Sequence, residues 1–269
     1  MVLFLQRQYQ GLAQERNGQA LRQNVPSPFG GLNTKDAESA MEPTDAVLME
    51  NWFPSQGAVV TRKGYTEYAT GLNGNVETLI EFNAGASRKF LCANADEIND
   101  ITNPASVSTL GTGLSNARWQ WVNFNGSLLL VNGADTPQVY AGSTLTNSDI
   151  SGPTIANLIG VNVHKNRVYA WEDDSQSFWY GATNAIGGAF TEFNLSRIAP
   201  SGGNLTAMAT WNLDGGDGVD DYALFLMSSG DAILYQGSDP GDATNWSLVG
   251  TYRIGSPITT RGIKKVGAD

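Results

Sequence analysis

The fold is decided by four stretches that share one plan: RKFLCANADEINDIT (88–102), GSLLLVNGADTPQVYAG (126–142), NRVYAWEDDSQSFWYGA (166–182) and YALFLMSSGDAILYQGS (222–238). Each is an apolar run, a tight polar turn and a second apolar run. They begin at residues 88, 126, 166 and 222, so successive starts are 38, 40 and 56 residues apart. A unit of this size cannot bury its own apolar face, so the copies must stack against one another, and four-stranded propeller blades repeat at about 40–50 residues.

We therefore predict an all-β fold: a β-propeller-like array of about four recognisable antiparallel blades, with ring closure left open, preceded by an extended N-terminal arm and strap. The predicted organisation is an N-terminal arm (1–24), an extended strap with a first hairpin (25–75), propeller-like blades (76–255) and the start of a further strand or tail (256–269). Many Gly and Asn turns and seven Trp favour short strands joined by tight turns.

Three turns are predicted from local sequence. Lys63-Gly64 lies within the alternating run GAVVTRKGYTEY (57–68) and predicts a half-exposed hairpin. Asn132-Gly133 is a strong two-residue hairpin signal. The stretch DGGDGVDD (214–221) is too rich in Gly and charge for a strand interior, so we predict a loop there.

Composition narrows the function classes. Sixteen basic against 26 acidic residues give a net charge of −10, with a pI near 4.5, which opposes tight DNA binding but suits a conduit that nucleic acid must slide through. The single cysteine, Cys92, excludes an intrachain disulfide and any multi-cysteine metal site. The apolar start MVLFL is too short for a signal peptide or a bilayer span, so we expect neither secretion by the standard route nor a membrane-spanning segment.

No residue pattern predicts catalysis. HExxH, GxSxG, SxxK, Walker and CxxC motifs do not occur, and His164 is the one histidine, so we expect it to pack beside a turn and Cys92 to be a buried thiol. Two acidic groups remain. The first could hold calcium but is more simply a solvated loop; it comprises Asp214, Asp217, Asp220 and Asp221. The second is expected at a hairpin tip and comprises Glu172, Asp173 and Asp174.

A carbohydrate-processing propeller also has to be weighed. The segment SDPGDATNWSLV (238–249) faintly resembles the Asp-box turn of sialidases, although it lacks the full pattern. The arginines that could bind a sugar carboxylate are spread one per unit: Arg88, Arg118, Arg167, Arg197 and Arg253. We therefore predict no enzyme, no catalytic or metal-binding residues, and no cofactor.

A longer resemblance covers residues 25–257. It comprises, in order, PSPFGGLNTKDAESAMEPTDAVLMENWFPSQGAVVTRKGY, RWQWVNFNG, VNGADTPQVY, HKNRVYAWE, WYGATNAIGG, TWNLDGGDGVDDYALF, YQGSDPGDATNWSLVG and YRIGSP. This combination resembles the tail-tube or nozzle structural proteins of short-tailed bacteriophages. Family members are generally longer and continue after the IGxP stretch, whereas this sequence ends shortly after it.

The resemblance implies a β-propeller-bearing subunit of the distal tail. Such a subunit would assemble as a homo-oligomeric ring, six-fold by the resemblance, beside adaptor and tail-fibre proteins, with genome DNA passing through the lumen without tight binding. Its location would be the virion tail, and the host cytoplasm during assembly. The strap would add strands to a neighbour or cover its own propeller. The alternative function is a carbohydrate-binding or glycan-processing propeller that recognises a host surface.

Overall fold

The computed structural model describes residues 24–214 and 219–263. It divides into two compact units, with the boundary between Glu67 and Tyr68. The predicted arm (1–24) lies outside the described residues except for its last position, and the predicted tail (256–269) is described as far as residue 263.

The first unit contains short elements joined by Pro- and Gly-rich connections. They are β1 (Gly31–Leu32), a 3-10 turn (Glu38–Ala40), β2 (Asp45–Ala46), β3 (Trp52–Ser55) and β4 (Ala58–Thr61). Strands β1 and β2 pair in parallel, and β3 and β4 form an antiparallel hairpin. The predicted turn at Lys63-Gly64 is wrong. The chain turns earlier, where Gly57 adopts a φ of 70° that favours glycine, and the Arg62 N–H donates to the Asn51 carbonyl to close the hairpin.

The second unit contains four sheets, each with four antiparallel strands that follow one another in chain order. Blade one is β5 (Val76–Ala84), β6 (Ser87–Asn94), β7 (Glu97–Asp100) and β8 (Ser108–Gly111). Blade two is β9 (Gln120–Phe124), β10 (Ser127–Val131), β11 (Gln138–Tyr140) and β12 (Leu145–Asn147). Blade three follows a 3-10 turn (Ile155–Asn157) and is β13 (Leu158–His164), β14 (Arg167–Glu172), β15 (Ser177–Tyr180) and β16 (Thr191–Asn194). Blade four is β17 (Leu205–Asp214), β18 (Val219–Met227), β19 (Asp231–Gly237) and β20 (Trp246–Arg253).

Alternation along each first strand decides which face is buried. In β5, Ile80 and Phe82 are fully buried, whereas Leu79 beside Ile80 is 57% exposed. Successive side chains of a strand point to opposite faces, so the buried set faces the next blade.

Three apolar cores join consecutive blades. The core between blades one and two is centred on Phe82, Trp119 and Tyr140. The core between blades two and three contains Leu129, Val168 and Phe190. The core between blades three and four is the most aromatic; it includes Tyr169, Phe178, Phe225, Tyr235 and Trp246. In that core the Phe178 and Phe225 rings stack with centroids 4.5 Å apart.

The predicted fold class is confirmed: the protein is all-β, with four antiparallel blades arranged as in a propeller. Within the described part of the chain, no apolar core joins blade four to blade one, so the described array is open.

Two local predictions need correction. Asn132-Gly133 does not form a two-residue hairpin turn, because residues 132–137 form a longer connection in which Asn132 Oδ1 accepts from the N–H groups of Ala134 and Asp135. The stretch 214–221 is not all loop: Asp214 ends β17, and β18 begins at Val219 and includes Asp220 and Asp221. Pairing in a long antiparallel hairpin carries these polar residues into strands. Asp217 lies outside the described residues.

Candidate functional site

The outermost strand of blade four differs from the outer strands of the other blades. Strand β20 has 8 residues, whereas β8, β12 and β16 have 4, 3 and 4. It exposes Leu248 (48%), Val249 (42%) and Tyr252 (55%). The other three outer strands have no exposed large apolar side chain. Short polar outer strands are one protection against strand pairing between molecules, and the blade-four edge lacks it.

The β3–β4 hairpin of the first unit is a second exposed apolar feature. Phe53 and Val60 face each other across the hairpin and are 54% and 50% exposed. A two-stranded hairpin is marginally stable alone in water and normally packs on another surface. The sequence predicts a hairpin about Lys63-Gly64 rather than the observed β3–β4 pair, and it does not single out β20. The available signal for β20 was its length together with its Leu, Val and Tyr content.

A C-terminal strap, residues 257–263, leaves blade four and reaches the first strands of blades one and two. The Gln120 side-chain amide donates to the Thr260 carbonyl at 3.0 Å. The Arg261 guanidinium donates to the Glu77 carbonyl at 3.2 Å and to Thr78 Oγ1 at 3.3 Å. Ile263 packs on the core between blades three and four. The strap therefore contacts both halves of the array.

His164 is a buried joint between blades three and four. Its Nδ1 lies 3.2 Å from Thr210 Oγ1, and its Nε2 lies 3.2 Å from the Gly237 carbonyl. A carbonyl can only accept, so Nε2 carries a proton. Burial lowers the pKa of His164 below its ordinary value, with a smaller opposing effect of the Gly237 hydrogen bond. The side chain joins two blades and is inaccessible to a substrate.

Cys92 is fully buried in β6, where burial raises the pKa of its thiol. A thiol that is less ionised than usual is a poor nucleophile. Its neighbours on the same face form an amide network, in which Asn99 Nδ2 donates to Asn94 Oδ1 at 2.9 Å. The prediction of a buried cysteine is confirmed by this position.

The acidic residues at the predicted hairpin tip have local hydrogen bonds. Glu172 accepts from the Thr154 N–H at 2.6 Å and from Trp179 Nε1 at 2.9 Å. Asp174 accepts from the Asn204 side chain at 3.0 Å. Across residues 24–214 and 219–263, no group of three or more His, Cys, Asp and Glu side chains is arranged to hold a metal ion.

The segment that faintly resembles an Asp-box forms a turn before β20 that is held mainly by its own hydrogen bonds. Asp239 accepts from the Gly241 N–H, while Asp242 accepts from the Thr244 hydroxyl at 2.7 Å and the Asn245 amide at 2.6 Å. These bonds lower the pKa of the Asp242 carboxyl, with the Thr244 side chain contributing most. Trp246 then inserts into the core between blades three and four.

The scattered arginines do not converge on one site. Arg167 pairs with Asp239 at 3.2 Å and donates to the Gly181 carbonyl at 2.6 Å. Arg253 bonds Ser201 and lies 3.8 Å from Asp231. Each of these two therefore has its own local acceptors within blades three and four.

No family model and no curated protein sequence matches the chain. Similar solved structures, matched over part of their length, include the following three. BBS1N, crystallised in complex with ARL6DN, is 11% identical with a TM-score of 0.49, covering 77% of this chain and 64% of that one. PorZ, a surface component of the type-IX secretion system of Porphyromonas gingivalis, is 14% identical with a TM-score of 0.40, covering 66% and 23%. YCF48 bound to D1 peptide is 12% identical with a TM-score of 0.38, covering 64% and 52%.

This chain therefore spans less than two thirds of each of these three structures. All three have β-propeller-like folds. Among the described residues there is no helix that is long and apolar enough to span a membrane.

Proposed function

We propose that this chain is a structural component of a bacteriophage tail, a nozzle or tail-tube ring subunit that forms part of the wall of the DNA ejection conduit. The proposal starts from the ordered resemblance over residues 25–257. In the virion it would occupy the tail beside adaptor and tail-fibre proteins, after assembly in the host cytoplasm.

One structural observation carries the proposal. The part of the resemblance that precedes the blades forms a unit whose apolar anchors are largely exposed: Phe29, Leu32, Val47, Leu48 and Phe53. Exposed apolar side chains at this density mark surfaces that contact other proteins. A strap of this kind supports a role in assembly with neighbouring subunits.

The charge of the chain is compatible with a DNA conduit. A net charge of −10 disfavours adhesion of the phosphate backbone, so DNA would pass a wall of such subunits without being held. Copies arranged head to tail around an axis would close a ring when the rotation between neighbours divides a full turn.

Immunogold labelling of virions tests this function. An antibody against the purified chain should label the distal tail, and particles assembled without the chain should lack the label and the distal structure. Absence of label from complete tails would contradict the proposal. In a parallel assay, binding or turnover of host surface glycan by the purified chain, combined with unlabelled tails, would favour the carbohydrate-recognising alternative.

A further inference from the structure

Hydrogen-bonded and non-hydrogen-bonded residue pairs alternate between β19 and β20, and this alternation shows which backbone groups of β20 point to the free edge of the sheet. The Ile254 N–H donates to the Gly230 carbonyl, so the pairs Tyr252–Ala232 and Gly250–Leu234 also point their backbone groups inward. Thr251 and Arg253, which alternate with them, direct their N–H and C=O groups outward. A bulge at Val249 interrupts the ladder, so the regular part of this edge is the four residues 250–253.

The same alternation of bonded and non-bonded pairs distinguishes the two edges of the β3–β4 hairpin. The Arg62 N–H donates to the Asn51 carbonyl, so Phe53–Val60 is a bonded pair and Pro54–Val59 is not. Pro54 therefore occupies an outward-facing position of β3, where its missing N–H blocks strand addition. On the opposite edge, Val59 and Thr61 direct intact backbone groups outward. Only the β4 edge of the hairpin can therefore extend a ladder without a missing donor.

These two edges match in length and in side chains. Strand β4 has four residues with two outward-facing positions, as does the regular part of β20. Antiparallel pairing of Thr61 with Thr251 and of Val59 with Arg253 places Val60 directly opposite Tyr252. Both of these side chains are about half exposed, and an aromatic residue opposite a β-branched one is a favourable cross-strand pair. Phe53 would continue the same apolar row.

Charge selects the antiparallel direction. Strand β4 continues into Arg62 and Lys63, and β20 ends at Arg253. Parallel pairing would bring these three cations together, whereas antiparallel pairing directs Arg62 and Lys63 towards the end of β20 that follows Asp242. Lys165 also lies near that end of β20. The main electrostatic benefit of antiparallel pairing is therefore that Arg62 and Lys63 lie away from Arg253.

We propose that β4 of one copy of this chain adds as a fifth strand to the edge of β20 in a second copy, antiparallel, with Val60 against Tyr252. The two surfaces are different, so each copy can both donate a hairpin and accept one. Such an interface generates a ring or an open chain of subunits. The inference concerns self-association alone and does not rest on the virion assignment.

Disulfide trapping tests the pairing directly. The Val60→Cys/Tyr252→Cys variant places thiols in a non-bonded cross-strand pair, where Cα atoms approach within about 5 Å, a distance that suits a disulfide. Oxidation should give a ladder of covalent multimers on a non-reducing gel that collapses on reduction, whereas Val60→Cys and Tyr252→Cys alone should give none. An oxidised monomer with a disulfide between its own two introduced thiols would overturn pairing between copies, because the hairpin of the same chain would then be the occupant. Absence of both the multimer ladder and the intrachain disulfide would also overturn the pairing.

A backbone variant separates edge pairing from folding. Thr251→Pro removes an outward N–H and leaves the bonds to β19 in place, so it should convert the multimer to a monomer by native mass, while Thr251→Val should remain multimeric. Val59→Pro and Val59→Thr form the corresponding pair on β4. Retention of the multimer by both folded proline variants would contradict the proposal, and thermal unfolding confirms that each variant is folded. A wild-type chain that is monomeric at about 100 µM would also contradict it.

Discussion

At the residue scale, His164 is a buried titratable side chain that joins blades three and four. Its ring contacts Thr210 and Gly237 of blade four, and the nearby charges are Lys165, which disfavours protonation, and Asp221, which favours it. Protonation would retain both hydrogen bonds, because Thr210 Oγ1 can accept while its hydroxyl donates to the Val163 carbonyl. The cost of protonation is therefore burial of a charge in the joint.

We expect mild acidification to weaken the contact between blades three and four at His164. The folded pKa of His164 lies below the unfolded value of about 6.5, so the unfolded chain binds the proton first and stability falls as the pH drops through that value. Urea unfolding at pH 7.5 and 5.5 should show a larger loss for the wild type than for His164→Asn. The carboxyls of Asp100 and Asp135, whose pKa values are lowered in the folded chain, change stability only below about pH 4. They therefore do not affect the comparison between pH 7.5 and 5.5. Equal losses in both proteins would contradict the assignment.

Gly160 gives a second residue-scale prediction. A Cβ at this position would overlap Cζ2 and Cε2 of Trp171, whose indole is buried and donates to the Thr206 carbonyl. Gly160→Ala must displace that ring and should destabilise the fold by about 2 kcal/mol. Gly255→Ala, which meets nothing within 4 Å, is the control and should be near neutral. Chemical denaturation measures both, and equal stabilities would show that the Trp171 contact is not as described.

At the element scale, the blades were predictable and their connections were not. Apolar runs such as LFLM around Phe225 and LLLV around Leu129 decide the strands, because only stacked sheets bury them. The turn after Val131 differs from the prediction because an Asn-Gly signal does not reveal that Asn132 will cap a longer connection. The β20 edge was missed although its length and its Leu, Val and Tyr content were visible in the sequence, because such side chains are exposed only when no further strand or blade covers them.

The C-terminal strap was also beyond prediction, since its contacts join residues more than 100 positions apart. Gln120 and Arg261 both hold it, so we expect their effects to be coupled. Each Ala substitution should cost about 0.5–1 kcal/mol, and the double variant should cost less than the sum because loss of either contact loosens the same segment. Pairing Arg261→Ala with Arg118→Ala, an exposed arginine, should instead be additive. Strict additivity of Gln120→Ala and Arg261→Ala would indicate that the strap does not dock as a unit.

At the scale of the whole molecule, the four described blades are joined by three cores, and most of the exposed large apolar side chains lie in the first unit and on the edge of blade four. Burial of apolar surface stabilises an association between copies by about 25 cal/mol for each Å² removed from water. The tail-subunit proposal and the strand-addition proposal both depend on these exposed apolar side chains. The tail-subunit proposal can still hold if the strand-addition proposal is wrong, because a ring can form through other contacts.

The most direct test of the account is an electron cryomicroscopy reconstruction of the purified chain of 269 residues. We expect a closed ring of identical copies, six by the family resemblance, around an axial channel wide enough for duplex DNA, with the four-bladed unit in every copy. A particle that remains a single compact chain with no channel at all concentrations would contradict the account.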